Sequence, residues 1–73
     1  MNEDQIKTLK SFMSQNIRIA LTDPATGHYR RLFIIKEHEG KPTAFFRDGS
    51  SASLLELNAE DFCILNIHEL FQN

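Results

Sequence analysis

The chain has 73 residues, 41% hydrophobic and 25% charged, with six phenylalanines, no tryptophan and a formal net charge of −2. A chain of this length buries only about 60% of its unfolded surface, which excludes a second domain and leaves the core to a few large side chains. No run approaches the ~20 apolar residues of a membrane-spanning helix, and the opening "MNEDQ" lacks the basic-then-apolar order of a secretory leader. Cys63 is the only cysteine, which excludes an internal disulfide; set between Phe62 and Ile64, it is expected to be a small buried thiol in a reducing compartment. The expected location is cytoplasmic. With so small a core, a monomer and a partner-stabilised homodimer both stay open.

The charge is unevenly spread. Residues 1–27 balance, Lys7, Lys10 and Arg18 against Glu3, Asp4 and Asp23. Residues 28–47 set Arg30, Arg31, Lys36, Lys41 and Arg47 against Glu37 and Glu39, an excess of three positive charges. The remainder carries Asp48, Glu56, Glu60, Asp61 and Glu69 with no lysine or arginine, a deficit of five.

In chain order, Ile6, Leu9, Phe12 and Met13 recur at helical spacing, which predicts an amphipathic helix over 4–14 with Asn2 or Asp4 as its cap. Ile17, Ile19 and Leu21 then alternate with Arg18, Ala20 and Thr22, the period of a half-buried strand over 16–22. The turn "DPATG" ends it and makes a hairpin with a second strand over 29–37. In "YRRLFIIK" strict alternation puts Tyr29, Arg31, Phe33 and Ile35 on one face and Arg30, Leu32, Ile34 and Lys36 on the other, so the middle of this strand is apolar on both sides. Both sides then need cover: the inner one from a bent barrel, the outer one from the helix. "EGKP" predicts a tight connection to a third strand over 43–47, the Asp48-Gly49 pair a turn, "SLLEL" a fourth strand over 52–57, "NAED" a short turn, and "FCILNI" a fifth strand over 62–67. Residues 68–73 form a tail whose Leu70 and Phe71 can dock on the body.

The predicted fold class is therefore mainly β with one N-terminal helix, a five-stranded antiparallel bent sheet or barrel in a single domain. The helix, the strand beginning "NIRIAL", the long second strand and the turn-plus-strand "LLELNAEDFCILNI" resemble in layout the Sm-like and SH3-like small barrels, a group that includes the small bacterial Rho-binding antitermination proteins. That resemblance implies a barrel that binds macromolecules. The second strand departs from the Sm pattern in having no glycine before Gly40, and no functional residue transfers by position.

Catalytic and metal signatures are weak. His28, His38 and His68 have no ligand spacing, Ser50, Ser51 and Ser53 sit in a loop beside Asp48 without an evident base, and "DGSSAS" lacks the spaced glycines and lysine of a phosphate loop. The expectation is a non-catalytic regulatory or adaptor module with no cofactor and no bound metal. Its partner is expected to be another protein, such as a basic one associated with nucleic acid, met by Asp48, Glu56, Glu60 and Asp61. The alternative is a single-stranded RNA- or DNA-binding barrel, because Tyr29, Arg30, Arg31 and Arg47 interleave aromatic and cationic groups that stack on bases while neutralising phosphate.

Overall fold

Asn2 sets where the first element begins. Its side chain accepts from the Gln5 backbone N–H while the Gln5 side chain accepts from that of Asn2, a capping box that satisfies two of the unpaired donors of helix α1, Glu3–Ser14. The other end closes on Asn16, whose φ of 61° suits an asparagine. The N–H groups of Asn16 and Ile17 then reach back to the carbonyls of Met13 and Phe12, the paired bonds of a Schellman motif. This C-terminal closure consumes residues expected to be strand. The first strand, β1, is consequently Ile19–Thr22 rather than 16–22.

The computed structural model describes residues 1–65. Four further strands follow β1: β2 is Tyr29–His38, β3 Lys41–Phe46, β4 Ser51–Ser53 and β5 Phe62–Ile64. All pairings are antiparallel and the sheet order is β4-β3-β2-β1-β5, with β4 and β5 at its two edges. This is the expected mainly β fold with one N-terminal helix, its bent sheet left open rather than closed among the described residues. The β2–β3 turn is Glu39-Gly40, with φ of 53° and 77°; two successive left-handed residues give the tight hairpin geometry that matches strand twist, and the chain pays for it only at Glu39. The predicted strand over 52–57 is instead three residues of β4 followed by a 3₁₀ turn, Leu54–Glu56. The Ser53 hydroxyl caps that turn, and the three-residue step from Leu54 to Leu57 turns both inward, which a strand cannot do. A second 3₁₀ turn, Ala59–Asp61, falls in the predicted "NAED" turn. The outer part of the predicted fifth strand and the tail, with Leu70 and Phe71, lie outside the described residues.

A single apolar cluster joins helix and sheet. Ile6 and Leu9 of α1 pack with Ile19, Leu21, Leu32, Ala44, Phe46 and Leu54, and the Met1 nitrogen donates to the Leu54 and Leu57 carbonyls at 3.0 and 2.6 Å, tying the helix entry to the first 3₁₀ turn. Burying a Leu, Ile or Phe side chain here contributes about 1.5–3 kcal/mol. The helix therefore covers the concave face, the one that holds the core. It does not shield the opposite face of β2, as strict alternation required.

A β-bulge resolves that requirement. Leu32 pairs with Phe46 but Ile34 with Phe45, so β2 carries one residue more than β3 across this step, and that residue is Phe33. Before the bulge the even positions Arg30 and Leu32 face inward; after it the odd positions Ile35 and Glu37 do, opposite Ala44 and Pro42. Leu32 is 5% exposed, whereas Phe33 and Ile34 are 56% and 36% exposed. The apolar run is thus not sandwiched: its two ends point into the core and its middle points to solvent. Cys63, expected inside, is exposed as well, because β5 is an edge strand and Cys63, paired with Ala20, lies on the outer face.

Candidate functional site

The pairing registers define what the outer face carries. Reading outward positions across the sheet gives Arg18 just ahead of β1, Tyr29, Arg31, Ile34, Lys36 and His38 on β2, Lys41, Thr43 and Phe45 on β3, and Arg47 just beyond it. These positions include five lysines or arginines and no carboxylate. Glu37, the one acid on β2, falls on the inner face opposite Pro42.

The strongest concentration lies at the bulge. The Arg47 N–H donates to the Arg31 carbonyl at 2.9 Å, which sets these two residues side by side, and continuing the β1–β2 register brings Arg18 opposite Phe33. The Arg47 guanidinium sits over the Phe33 ring, 5.5 Å from its centroid. Arg18, Arg31, Arg47 and Phe33 line one cleft of about 350 Å³ together with Ile17, Ile19, Leu32 and, at the C-terminal end of α1, Met13 and Asn16; none of its lining residues is acidic. Three arginines lining one cavity bring like charges together, and the negative end of the helix dipole offsets their repulsion only in part. An anion entering the cleft removes the rest. The ring and the guanidinium plane above it offer a flat surface on which a nucleobase can stack.

The four residues expected to form a basic-aromatic patch separate into two groups. Arg31 and Arg47 are in the cleft, and Tyr29, 60% exposed, stands two positions from Arg31 on the same face. Arg30 points the other way. Its guanidinium lies 4.4 Å from the centroid of the buried Phe46 ring and donates to the Ser50 hydroxyl at 2.9 Å, closing the end of the core rather than facing solvent. Arg18, Phe33, Lys36 and Lys41 were missed as site residues. Arg18 was legible as the outward member of "IRI"; alternation groups Phe33 with Tyr29 and Arg31, as found, but also with Ile35, and only the bulge turns Ile35 inward and leaves Phe33 exposed.

The acidic residues also divide. Asp48 accepts from both the N–H and the hydroxyl of Ser50, and these bonds, the hydroxyl first, with the nearby Arg30 charge, hold its carboxyl below the usual carboxylate range. Asp48, Ser50 and Arg30 therefore form a local network that fixes the β3–β4 turn. Asp61 shares a shallow hollow with Arg30, Leu21 and Pro24. Glu56 and Glu60 are exposed on the two 3₁₀ turns, and Glu60 borders a hollow with Asn2 and Gln5 at the N-terminal end of α1. That end lies the length of α1, about 18 Å, from the arginine cleft. Acids at the helix N-terminus and arginines at its C-terminus both complement the macrodipole. Among the described residues no three His, Cys, Asp or Glu side chains come together to hold a metal ion; His68 falls outside them. No helix among the described residues is long and apolar enough to cross a membrane.

No protein-family model, curated protein or solved structure matches this chain. The functional reading therefore stands on the site itself.

Proposed function

We propose that this chain is a small non-catalytic binding module that holds single-stranded nucleic acid on the outer face of its sheet, anchored where Arg18, Arg31 and Arg47 surround Phe33. The carrying observation is that three arginines and one exposed phenylalanine line a single cleft without a carboxylate among them, with the Arg47 guanidinium over the Phe33 ring. Phosphate oxygens suit guanidinium forks, and an exposed ring supplies the sequence-tolerant stacking that a lone phosphate does not use. Affinity rests on few cationic contacts, so it is modest and salt-sensitive. The small-barrel kinship expected from the sequence and a cytoplasmic location belong to the same reading.

Fluorescence anisotropy with labelled oligo-U and oligo-T at two salt concentrations tests it. Binding at low salt that weakens steeply at high salt, and that drops about tenfold or more in Arg31→Glu/Arg47→Glu, is expected. An absence of binding at low salt, or a charge-reversed variant that binds as well as the original, refutes it.

The adaptor reading is second. Its specific support is that Glu56 and Glu60 stand exposed on two successive 3₁₀ turns, Glu60 beside the N-terminal end of α1 and away from the arginine cleft, while Asp61 faces the hollow it shares with Arg30. On this reading a basic protein docks there, and Asp48 contributes only to the shape of the neighbouring turn. Capture of such a protein that disappears in Glu56→Lys/Glu60→Lys, with oligonucleotides inert, places this reading first.

A further inference from the structure

The cleft is one end of a longer cationic row. Beyond the bulge, the outward positions of the β2–β3 hairpin are Ile34 and Phe45, then Lys36 and Thr43, then His38 and Lys41. Lys36 and Lys41 are exposed, Phe45 is half-buried, and Ile34 is 36% exposed. Outward positions along a strand repeat every roughly 6–7 Å, close to the spacing of phosphates in an extended single strand. From Arg31 to the hairpin tip is seven residue steps, about 23 Å at strand rise.

We infer that, if the cleft binds single-stranded nucleic acid as proposed above, the strand continues out of the cleft along the β2–β3 hairpin, occupying about four nucleotides. One base stacks on Phe33, the next lies over the Ile34 and Phe45 side chains, and the phosphates meet Arg18, Arg31 and Arg47 first and Lys36 and Lys41 last. The bulge makes this continuity possible: if the same residues alternated strictly from Leu32 onward, Ile35 and Glu37 would take the outward positions, and an acidic side chain would stand in the row. Four nucleotides is the low end of site sizes for small barrels that bind single strands, as a four-row hairpin requires.

The test is a length and salt series with oligo-U and oligo-T of two to eight nucleotides, on the original protein, on Lys36→Glu/Lys41→Glu, and on Arg31→Glu/Arg47→Glu, each checked for unchanged circular dichroism. The original protein is expected to bind more tightly up to about four nucleotides and then level off, with a log–log salt slope near about −2 from the three phosphates that join four nucleotides, at about −0.7 each. The lysine variant is expected to lose the gain between two and four nucleotides and to flatten the slope to about −1, that of the one or two phosphates left in the cleft. If the lysine variant matches the original in length dependence and slope, the extended track is wrong while the arginine cleft stands. If the arginine variant also matches the original, the cleft reading fails too. Should charge reversal at Lys36 and Lys41 disturb folding, Lys36→Gln/Lys41→Gln carries the same comparison with a smaller slope change.

Discussion

The two faces of the β2–β3 hairpin are drawn from one short stretch of chain and diverge at a single step: Leu32 is 5% exposed and Phe33, the next residue, 56%. On the inner side Leu32, Ile35, Ala44 and Phe46 meet the helix residues Ile6 and Leu9 in the core. On the outer side stand Arg31, Phe33, Lys36, Lys41 and Arg47, with cations and aromatic surface but no acid. The difference comes from register: the extra residue at the bulge reassigns every later side chain of β2 to the other face. Similar residue types thus do two jobs. Apolar groups facing the helix hold the fold, and apolar groups facing away are free to meet a ligand.

Substitutions that fall on one side or the other sharpen this contrast. The largest expected effect is Leu32→Ala, which should destabilise the domain by about 2–5 kcal/mol in chemical denaturation, whereas Phe33→Ala should change stability by less than about 0.5 kcal/mol. Equal losses from both would return Phe33 to the core. Next is the arginine pair that sequence alone cannot separate. Arg30→Ala should cost about 1–2 kcal/mol of stability, through its lost contact with Phe46 and bond to Ser50, and leave oligonucleotide affinity in place. Arg47→Ala should do the reverse. The helix closure that brings Arg18 to the cleft depends on Asn16; Asn16→Ala should cost about 1 kcal/mol in thermal unfolding, and Asn16→Gly should be neutral or slightly stabilising.

The smallest effect is electrostatic. The Asp48 carboxyl, held by Ser50, should titrate below the ordinary carboxylate value in an NMR pH series, and Ser50→Ala should bring it back up. Because its folded value is depressed, whatever it adds to stability is present at neutral pH and is lost as pH falls through the acid range. A titration at or above the ordinary value would remove this network from the β3–β4 turn.

Much of the architecture was legible from local signals. The spacing of Ile6, Leu9 and Phe12, the Asn2 cap, the alternation of "IRIAL" and the punctuation at Pro24, Gly40 and Gly49 each act within a few residues, so they can be read from one segment. What failed to show was set elsewhere in the fold. The bulge is a mismatch between β2 and β3, and neither strand's sequence declares it. Leu54–Leu57 reads as strand until the core supplies a reason for Leu54 and Leu57 to face the same way. Cys63 looks buried between two apolar neighbours, but its strand lies at the edge of the sheet. Of the candidate site, Arg31 and Arg47 were foreseen and their convergence was not, because it depends on the same register as the bulge.

The chain contains no tryptophan, so Phe33→Trp places a single indole reporter at the residue on which the account turns. Its emission in the folded protein should be that of a solvent-exposed indole, open to a soluble quencher, and single-stranded oligonucleotide should quench it and shield it from that quencher. A blue-shifted, protected indole in the free protein would mean that residue 33 lies inside. An exposed indole indifferent to oligonucleotide would leave the bulge in place and empty the outer face of its proposed role.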